Sequence, residues 1–349
     1  MSRVTLISLA IALSLLTGLA ARSDLLYPYV ALVLPLDQQP GETIPELALK
    51  EKIALGAVEG RIDHMAFDPA RKRLFVAELG NNSLGVIDLQ GHRLEARLTG
   101  LNEPQGVAFV RGADRLFIAN GGNGAVEMRQ GEDLSLIKTI SLGSDADNIR
   151  ADGEAQVIVG YGEGGLALLD AKTGDQREDF ALAAHPESFQ LDQKDNRIFV
   201  NEPGAFQIGV IDRKSGTELA GWGANGAAAN FPMAFAPSSE RLFVAYRVPA
   251  LITMFDTKTG ELMARLPTCG DADDVFFDAK RGRLYLSCGE GAIDVVEYAP
   301  GRLERISRIT TSEGARTSIF APELDRLYVA ARAGTLGSQA AILVFRPWP

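Results

Sequence analysis

The stretch RLFVAELGNNSLGVIDLQ, from Arg73 to Gln90, decides the fold. An apolar run reaches a Gly/Asn turn, and a second apolar run leaves it, which is the pattern of a β-hairpin. Its core, Leu74-Phe75-Val76-Ala77, returns as Leu116-Phe117-Ile118-Ala119, Val157-Ile158-Val159-Gly160, Ile198-Phe199-Val200-Asn201, Leu242-Phe243-Val244-Ala245, Leu284-Tyr285-Leu286-Ser287 and Leu327-Tyr328-Val329-Ala330. The intervals run from 41 to 44 residues, so the chain holds seven copies of one unit. In the first copy, HMAFD and the turn PARK precede the hairpin, and QGH and RLEARL follow it. Four short antiparallel strands in a unit of this length make one blade of a β-propeller. The turns Asp170-Ala-Lys-Thr-Gly174, Asp212-Arg-Lys-Ser-Gly216 and Asp256-Thr-Lys-Thr-Gly260 repeat one design. The aspartate caps the turn through its side chain, and the glycine supplies a positive φ.

The seventh copy offers only three strands, SIFAP, DRLYVA and AAILVF. LALKEKIAL, residues 47–55, can supply the fourth. That pairing closes the ring and hides an otherwise open strand edge. The expected fold is therefore all-β: one seven-bladed propeller over residues 45–349, its last blade closed by the N-terminal strand. No linker or compositional break divides it, and a closed propeller is expected to be a monomer.

The first residues, MSRVTLISLAIALSLLTGLA, read as a secretory signal peptide over 1–20, with small residues Gly18 and Ala20 before the cut. Residues 21–44 read as a tether. The expected location is periplasmic or secreted. An uncleaved apolar segment that holds the protein at the membrane is the rival reading. The net charge of −10, with no basic run, excludes nucleic acid as a partner and gives no lipid-binding patch. Cys269 and Cys288 are the two cysteines and bracket one strand pair. In an exported chain they can bridge, and two semi-buried free thiols are the alternative.

In a propeller the innermost strand of each blade lines a central channel, and the residues just before it stand at one rim. Aligning the copies gives Asp63-His64, Gln105-Gly106, Asp147-Asn148, Glu187-Ser188, Phe231-Pro232, Asp273-Asp274 and Arg316-Thr317. Asp145, His185 and Asp271 lie one step further out. The ring brings the repeated words DADN and DADD, in blades 3 and 6, nearly opposite each other. Two of the three histidines join it, and Arg316 is the one permanent cation among the pairs. Crowded carboxylates raise one another's pKa unless a cation compensates. Single Asp and Asn residues at such places also cap turns. Taken together, Asp63, His64, Gln105, Asp147, Asn148, Glu187, Phe231, Asp273, Asp274 and Arg316 are expected to form a ligand site at the channel mouth, with Phe231, Pro232 and Met233 as its apolar wall. A divalent ion, Ca²⁺ or Mg²⁺, is one way to satisfy the ring, through Asn148, Glu187 and Asp274.

Other motifs lead nowhere. Gly160-Tyr-Gly162-Glu-Gly-Gly165 follows a strand but opens onto another strand, whereas dinucleotide binding needs a helix there. No haem-attachment, nucleophile-elbow, zinc-protease or P-loop pattern occurs. Asn81-Asn82-Ser83 is a formal glycosylation sequon inside a blade turn. Trp222 and Trp348 are expected to pack.

RLFVAELGNNSLGVIDLQ and RLFIANGGNGAVEMRQ resemble the YVTN repeat, in which an aromatic-Val-Thr-Asn core leads to a turn and a Val-Ile-Asp strand. Phe117-Ile118-Ala119-Asn120 keeps the Asn, whereas most copies carry Ala or Gly in place of Thr. Over residues 45–347 the chain resembles exported YncE-like seven-bladed propellers. GRIDH, EPQG, DADN, HPESFQ, NFPM, GDADD and GARTS resemble the loops that lead into the blades in one bacterial subgroup. The resemblance implies a periplasmic or cell-surface protein. Quinoproteins and nitrite reductases lie in the wider superfamily, but their cofactor ligands have no counterpart here.

The residues favour a noncatalytic binding or scaffold protein that takes a small ligand or a periplasmic protein, since no nucleophile–base pair stands at a recognisable spacing. The second reading is a metal-dependent hydrolase of lactonase type, with Glu187, Asn148 and Asp274 on the ion, Asp63 or His64 as base and a metal-bound water as nucleophile. The third is an accessory protein of a quinoprotein or cytochrome redox system.

Overall fold

A computed structural model describes residues 46–223, 226–334 and 337–348. The signal-peptide and tether readings, 1–20 and 21–44, lie outside them. Among the described residues no helix is long and apolar enough to cross a membrane.

The strands form seven separate four-stranded antiparallel sheets. In blade 1 these are Met65–Asp68, Arg73–Glu78, Ser83–Asp88 and Arg93–Thr99, paired in chain order. Blades 2 to 6 repeat this arrangement. Blade 7 takes Ser318–Ala321, Arg326–Ala331 and Ala340–Pro347 from the end of the chain, and its outer strand is Leu47–Gly56. Leu47 lies opposite Pro347 and Ile53 opposite Ile342.

The second strand of each blade carries the repeated tetrapeptide and is buried on both faces. Phe75, Phe117, Phe199, Phe243 and Tyr285 are inaccessible to solvent. Burial of each such side chain is worth about 1.5–3 kcal/mol. The apolar residues gather into seven clusters, one between each pair of adjacent blades. The cluster between blades 7 and 1 contains Ile53 and Leu55 of the closing strand together with Leu74 and Val76.

The Asp-to-Gly turns form as the sequence predicts. Asp170 accepts the N–H groups of Lys172 and Thr173, Asp212 those of Lys214 and Ser215, and Asp256 those of Lys258 and Thr259. Gly174, Gly216 and Gly260 all have φ near +70°. Gly160 and Gly162 belong to a hairpin between Gln156–Tyr161 and Gly165–Asp170. Cys269 and Cys288 are bonded to each other, with Cα atoms 5.9 Å apart. Trp222 packs between Phe199 and Phe255, at 5.5 and 5.9 Å. Trp348 departs from the expectation: it lies beyond the last strand, its ring is exposed, and only its backbone is used. Its carbonyl accepts from Arg281 and Arg283.

Candidate functional site

Each blade begins with a lead-in tripeptide. In chain order these are Arg61-Ile62-Asp63, Glu103-Pro104-Gln105, Asp145-Ala146-Asp147, His185-Pro186-Glu187, Ala229-Asn230-Phe231, Asp271-Ala272-Asp273 and Gly314-Ala315-Arg316. The middle residue is buried in all seven. The first has positive φ in five of them, namely Glu103, Asp145, Ala229, Asp271 and Gly314. The ladder then loses register between Pro104 and Val107, Ala146 and Ile149, Asn230 and Met233, and Ala272 and Asp274. A bulge of this kind frees residues from strand pairing and re-aims their side chains. The repeated acidic words therefore come from a repeated backbone device, and the third residue of each tripeptide is the one delivered to the ring.

Gly106 of the ring has a different job. A Cβ there would lie 2.0 Å from the carbonyl oxygen of Asp147, so glycine is what lets blade 2 approach blade 3.

The ring is less acidic than the rim pairs suggest, and Arg316 does not stand alone as its cation. Arg61 pairs with Asp63 at 2.5 Å and lies in the field of Asp273 and Asp147. Arg247, from the second strand of blade 5, donates to the Ala272 carbonyl at 2.9 Å and pairs with Asp273 and Asp271. Its guanidinium lies 3.8 Å above the Phe231 ring. Arg316 reaches Asp273 at 3.1 Å and Asp271 at 3.0 Å. Burial alone would raise the Asp273 pKa, but Arg316, Arg247 and Arg61 hold it well below the carboxylate range.

His64 joins blades 1, 3 and 6. Its Nδ1 lies 3.5 Å from Asp274, and its Nε2 lies 3.2 Å from the Asn148 amide and 3.7 Å from Asp63. Burial would lower its pKa, but Asp274 first, then Asp63 and Asp147, raise it to about 10. The Asn148 atom that faces Nε2 is its amide nitrogen, which only donates, so this contact is a hydrogen bond when Nε2 carries no proton. Asp274 also accepts the Ser318 N–H at 2.7 Å, and burial pushes its own pKa up.

A second group gathers beside blade 4. Donor atoms of Asp147, His185 and Glu187 all lie within 4.8 Å of one another. Burial, with Asp147 next, pushes Glu187 up to about 8. Burial would lower His185, but Asp147, the Gly162 carbonyl and Glu187 raise it to about 9. The metal set expected from sequence is distributed differently. Glu187 stands in this group, whereas Asn148 and Asp274 both face His64. Gln105 turns toward Asp145 at 3.4 Å, at the edge of the ring.

Beneath the ring lies a cavity of about 510 Å³ in the channel. His64, Asn148, Asp274 and Ser318 line its ring end, and Phe67, Phe109, Ile149 and Phe276 line its wall. It extends to the turns of the far face, at Pro69, Arg111, Glu154 and Glu323. Asp63, Asp147, Glu187, Phe231, Asp273 and Arg316 are not among its lining residues. Of the expected site residues, only His64, Asn148 and Asp274 face this cavity.

Sequence reasoning missed Arg61, Arg247 and Arg150. Their signal was departure from the repeat. Arg247 stands where other blades have Leu79, Gly121, Gly162, Pro203 and Gly289, with only Arg332 of blade 7 alike. Arg150 occupies the inner-strand register held elsewhere by Ala66, Ala108, Gln190, Ala234, Phe276 and Ile319.

No family model and no curated protein sequence matches the chain. Solved structures do. The chain is similar to Kuenenia stuttgartiensis hydrazine synthase, at 14% identity and a TM-score of 0.71, over 83% of this chain and 98% of that one. It is also similar to a chain of a mitotic checkpoint complex, at 13% identity and a TM-score of 0.73, over 90% and 97%. At these identities the likeness shows the fold: a seven-bladed β-propeller.

Proposed function

We propose that this protein is a noncatalytic binding propeller whose ligand site is the central-channel cavity beneath the charged ring. One observation carries the reading. The channel holds a concave cavity of about 510 Å³ with phenylalanines on its wall and polar groups at both ends, space and chemistry for a small molecule. The YncE-like resemblance and the exported location rest on the repeat wording and on residues 1–20, and they fit this role. An accessory role in a redox system rests on the wider family alone.

The test is to plug the channel. Ala151 lines the cavity, and its side chain is exposed. A thermal-shift screen of small organic compounds should yield ligands for the native protein that Ala151→Trp no longer binds. Ligands that bind both proteins equally, or no ligands at all, would refute the reading.

The second reading, a metal-dependent hydrolase, is favoured by the Asp147–His185–Glu187 group. Two carboxylates and an imidazole suit a divalent ion that keeps open positions, and such an ion would supply an activated water. Elemental analysis of purified protein should then find one metal per chain, lost in Glu187→Gln. Absence of metal, with a melting temperature indifferent to chelator, leaves the binding reading alone.

A further inference from the structure

Arg150 stands apart from the ring's other arginines. It lies on the inner strand of blade 3, two residues beyond Asn148, and lines the cavity. Its guanidinium donates to the Ser188 hydroxyl at 2.9 Å and sits 5.6 Å from the Phe189 ring centre. Its Nε is buried without a hydrogen-bond partner. Among the described residues no carboxylate pairs with it. The other arginines differ: Arg61 is paired with Asp63, and Arg247 and Arg316 share Asp271 and Asp273. Arg61 also leaves its Nε unpartnered, but its charge is matched.

Asp274 is the one carboxylate whose field reaches Arg150, and it is already engaged by His64 and the Ser318 N–H. Burial pulls Arg150 below its ordinary pKa, the mark of a charge removed from water without full compensation. At the far end, Arg111 and Glu154 pair with each other at 3.3 Å. At its ring end the cavity therefore carries one positive charge in excess, beside the apolar wall of Phe67, Phe109 and Phe276.

We propose that the channel binds a small organic acid whose carboxylate docks on Arg150 and whose apolar body lies against the phenylalanine wall. This inference rests on the channel being the ligand site. A guanidinium fork matches a carboxylate in geometry and charge. The bound acid would neutralise the excess charge.

The probe is sodium benzoate, compared with neutral benzamide and with sodium chloride at equal ionic strength. Melting curves are recorded for the native protein, Arg150→Met, Arg150→Lys and Ala151→Trp. Benzoate should stabilise the native protein, its apparent affinity should fall at least tenfold in Arg150→Met, and Arg150→Lys should keep part of it. Arg150→Met should melt higher than native protein without ligand, because it removes an uncompensated buried charge; a merely structural arginine would melt lower on substitution. If benzoate and benzamide bind alike and both are blocked by Ala151→Trp, the channel remains a ligand site and the anion inference fails. If neither binds and Arg150→Met melts lower, both fail.

Discussion

At the far face of the propeller, Arg71 is clamped between Asp68 of its own turn and Asp114 of the next blade, at 2.9 and 2.8 Å. Arg281 repeats this between Asp278 and Asp325, at 2.8 and 2.7 Å. Asp68 and Asp278 are capped as well by backbone N–H groups two and three residues on. Each charge there is matched by near neighbours, and each clamp staples two adjacent blades. At the ring the same residue types meet from many blades at once. Asp273 serves Arg247 and Arg316 together, and His64 is shared by Asp274, Asn148 and Asp63. The matching there is collective and incomplete, with Glu187 pushed toward neutrality and Arg150 left over. Charge satisfied locally is structure; charge satisfied only in aggregate leaves a residue of unmet demand, and a ligand can meet it.

The sharpest way to break this comparison is Asp273→Asn. It removes a shared partner from two buried guanidinium groups, and the cost should be about 3–5 kcal/mol, as for other buried pairs broken on one side. Urea unfolding measures it, and a loss below that of any far-face variant would show that the ring is not collective. Arg281→Met should cost about 2–3 kcal/mol, since Arg281 and Asp278 are nearly inaccessible, at 6% and 2% exposure, and lose charge-assisted hydrogen bonds. Arg71→Met breaks the same clamp in a wetter setting, where Arg71 is 29% and Asp114 43% exposed while Asp68 stays buried, and should cost less, about 1–2 kcal/mol. Neither far-face variant should change binding in the channel.

The last prediction concerns pH dependence. His64 has a pKa of about 10 in the fold against 6.5 for a free histidine. Its contribution to stability is whole below pH 6.5 and drains away as pH rises toward 10. Glu187 shifts the same way, from 4.5 to about 8, so it also loses its contribution as pH rises, over a lower window. Unfolding midpoints should fall between pH 6 and 10, and His64→Gln should flatten the upper part of that fall. An unchanged slope in His64→Gln would detach His64 from the Asp274 pairing.

The fold was legible because its cause repeats. The tetrapeptide cores, the Asp-to-Gly turns and the missing fourth strand of blade 7 are periodic facts, and comparing seven copies exposes them. The ring positions were legible for the same reason, as the residues just before each inner strand. What could not be read was which side chains reach across. Arg247 comes from a second strand, and only the folded ring brings it over Phe231 and onto Asp273. The bulges that re-aim Asp147 and Asp273 leave no mark in composition. Nor does the sequence say which ring residues face the channel cavity and which pair among themselves. Arg150 was visible as the one charged residue at its register, but periodic reading attends to agreement, and this residue matters through its exception.

The pairing of Leu47–Gly56 with Ala340–Pro347 also bears on how the chain is made. Blades 1 to 6 are consecutive hairpins, so each can zip from local contacts while the nascent polypeptide lengthens. The seventh cannot, because its outermost strand is synthesised first and waits for a partner synthesised last. Contacts so distant in sequence form late. A product cut short before Ala340 leaves Leu47–Gly56 with an unmet strand edge and an exposed Ile53 and Leu55. The closing strand is in that sense a check on translation: the ring shuts only around a chain that has been read through Ala340–Pro347.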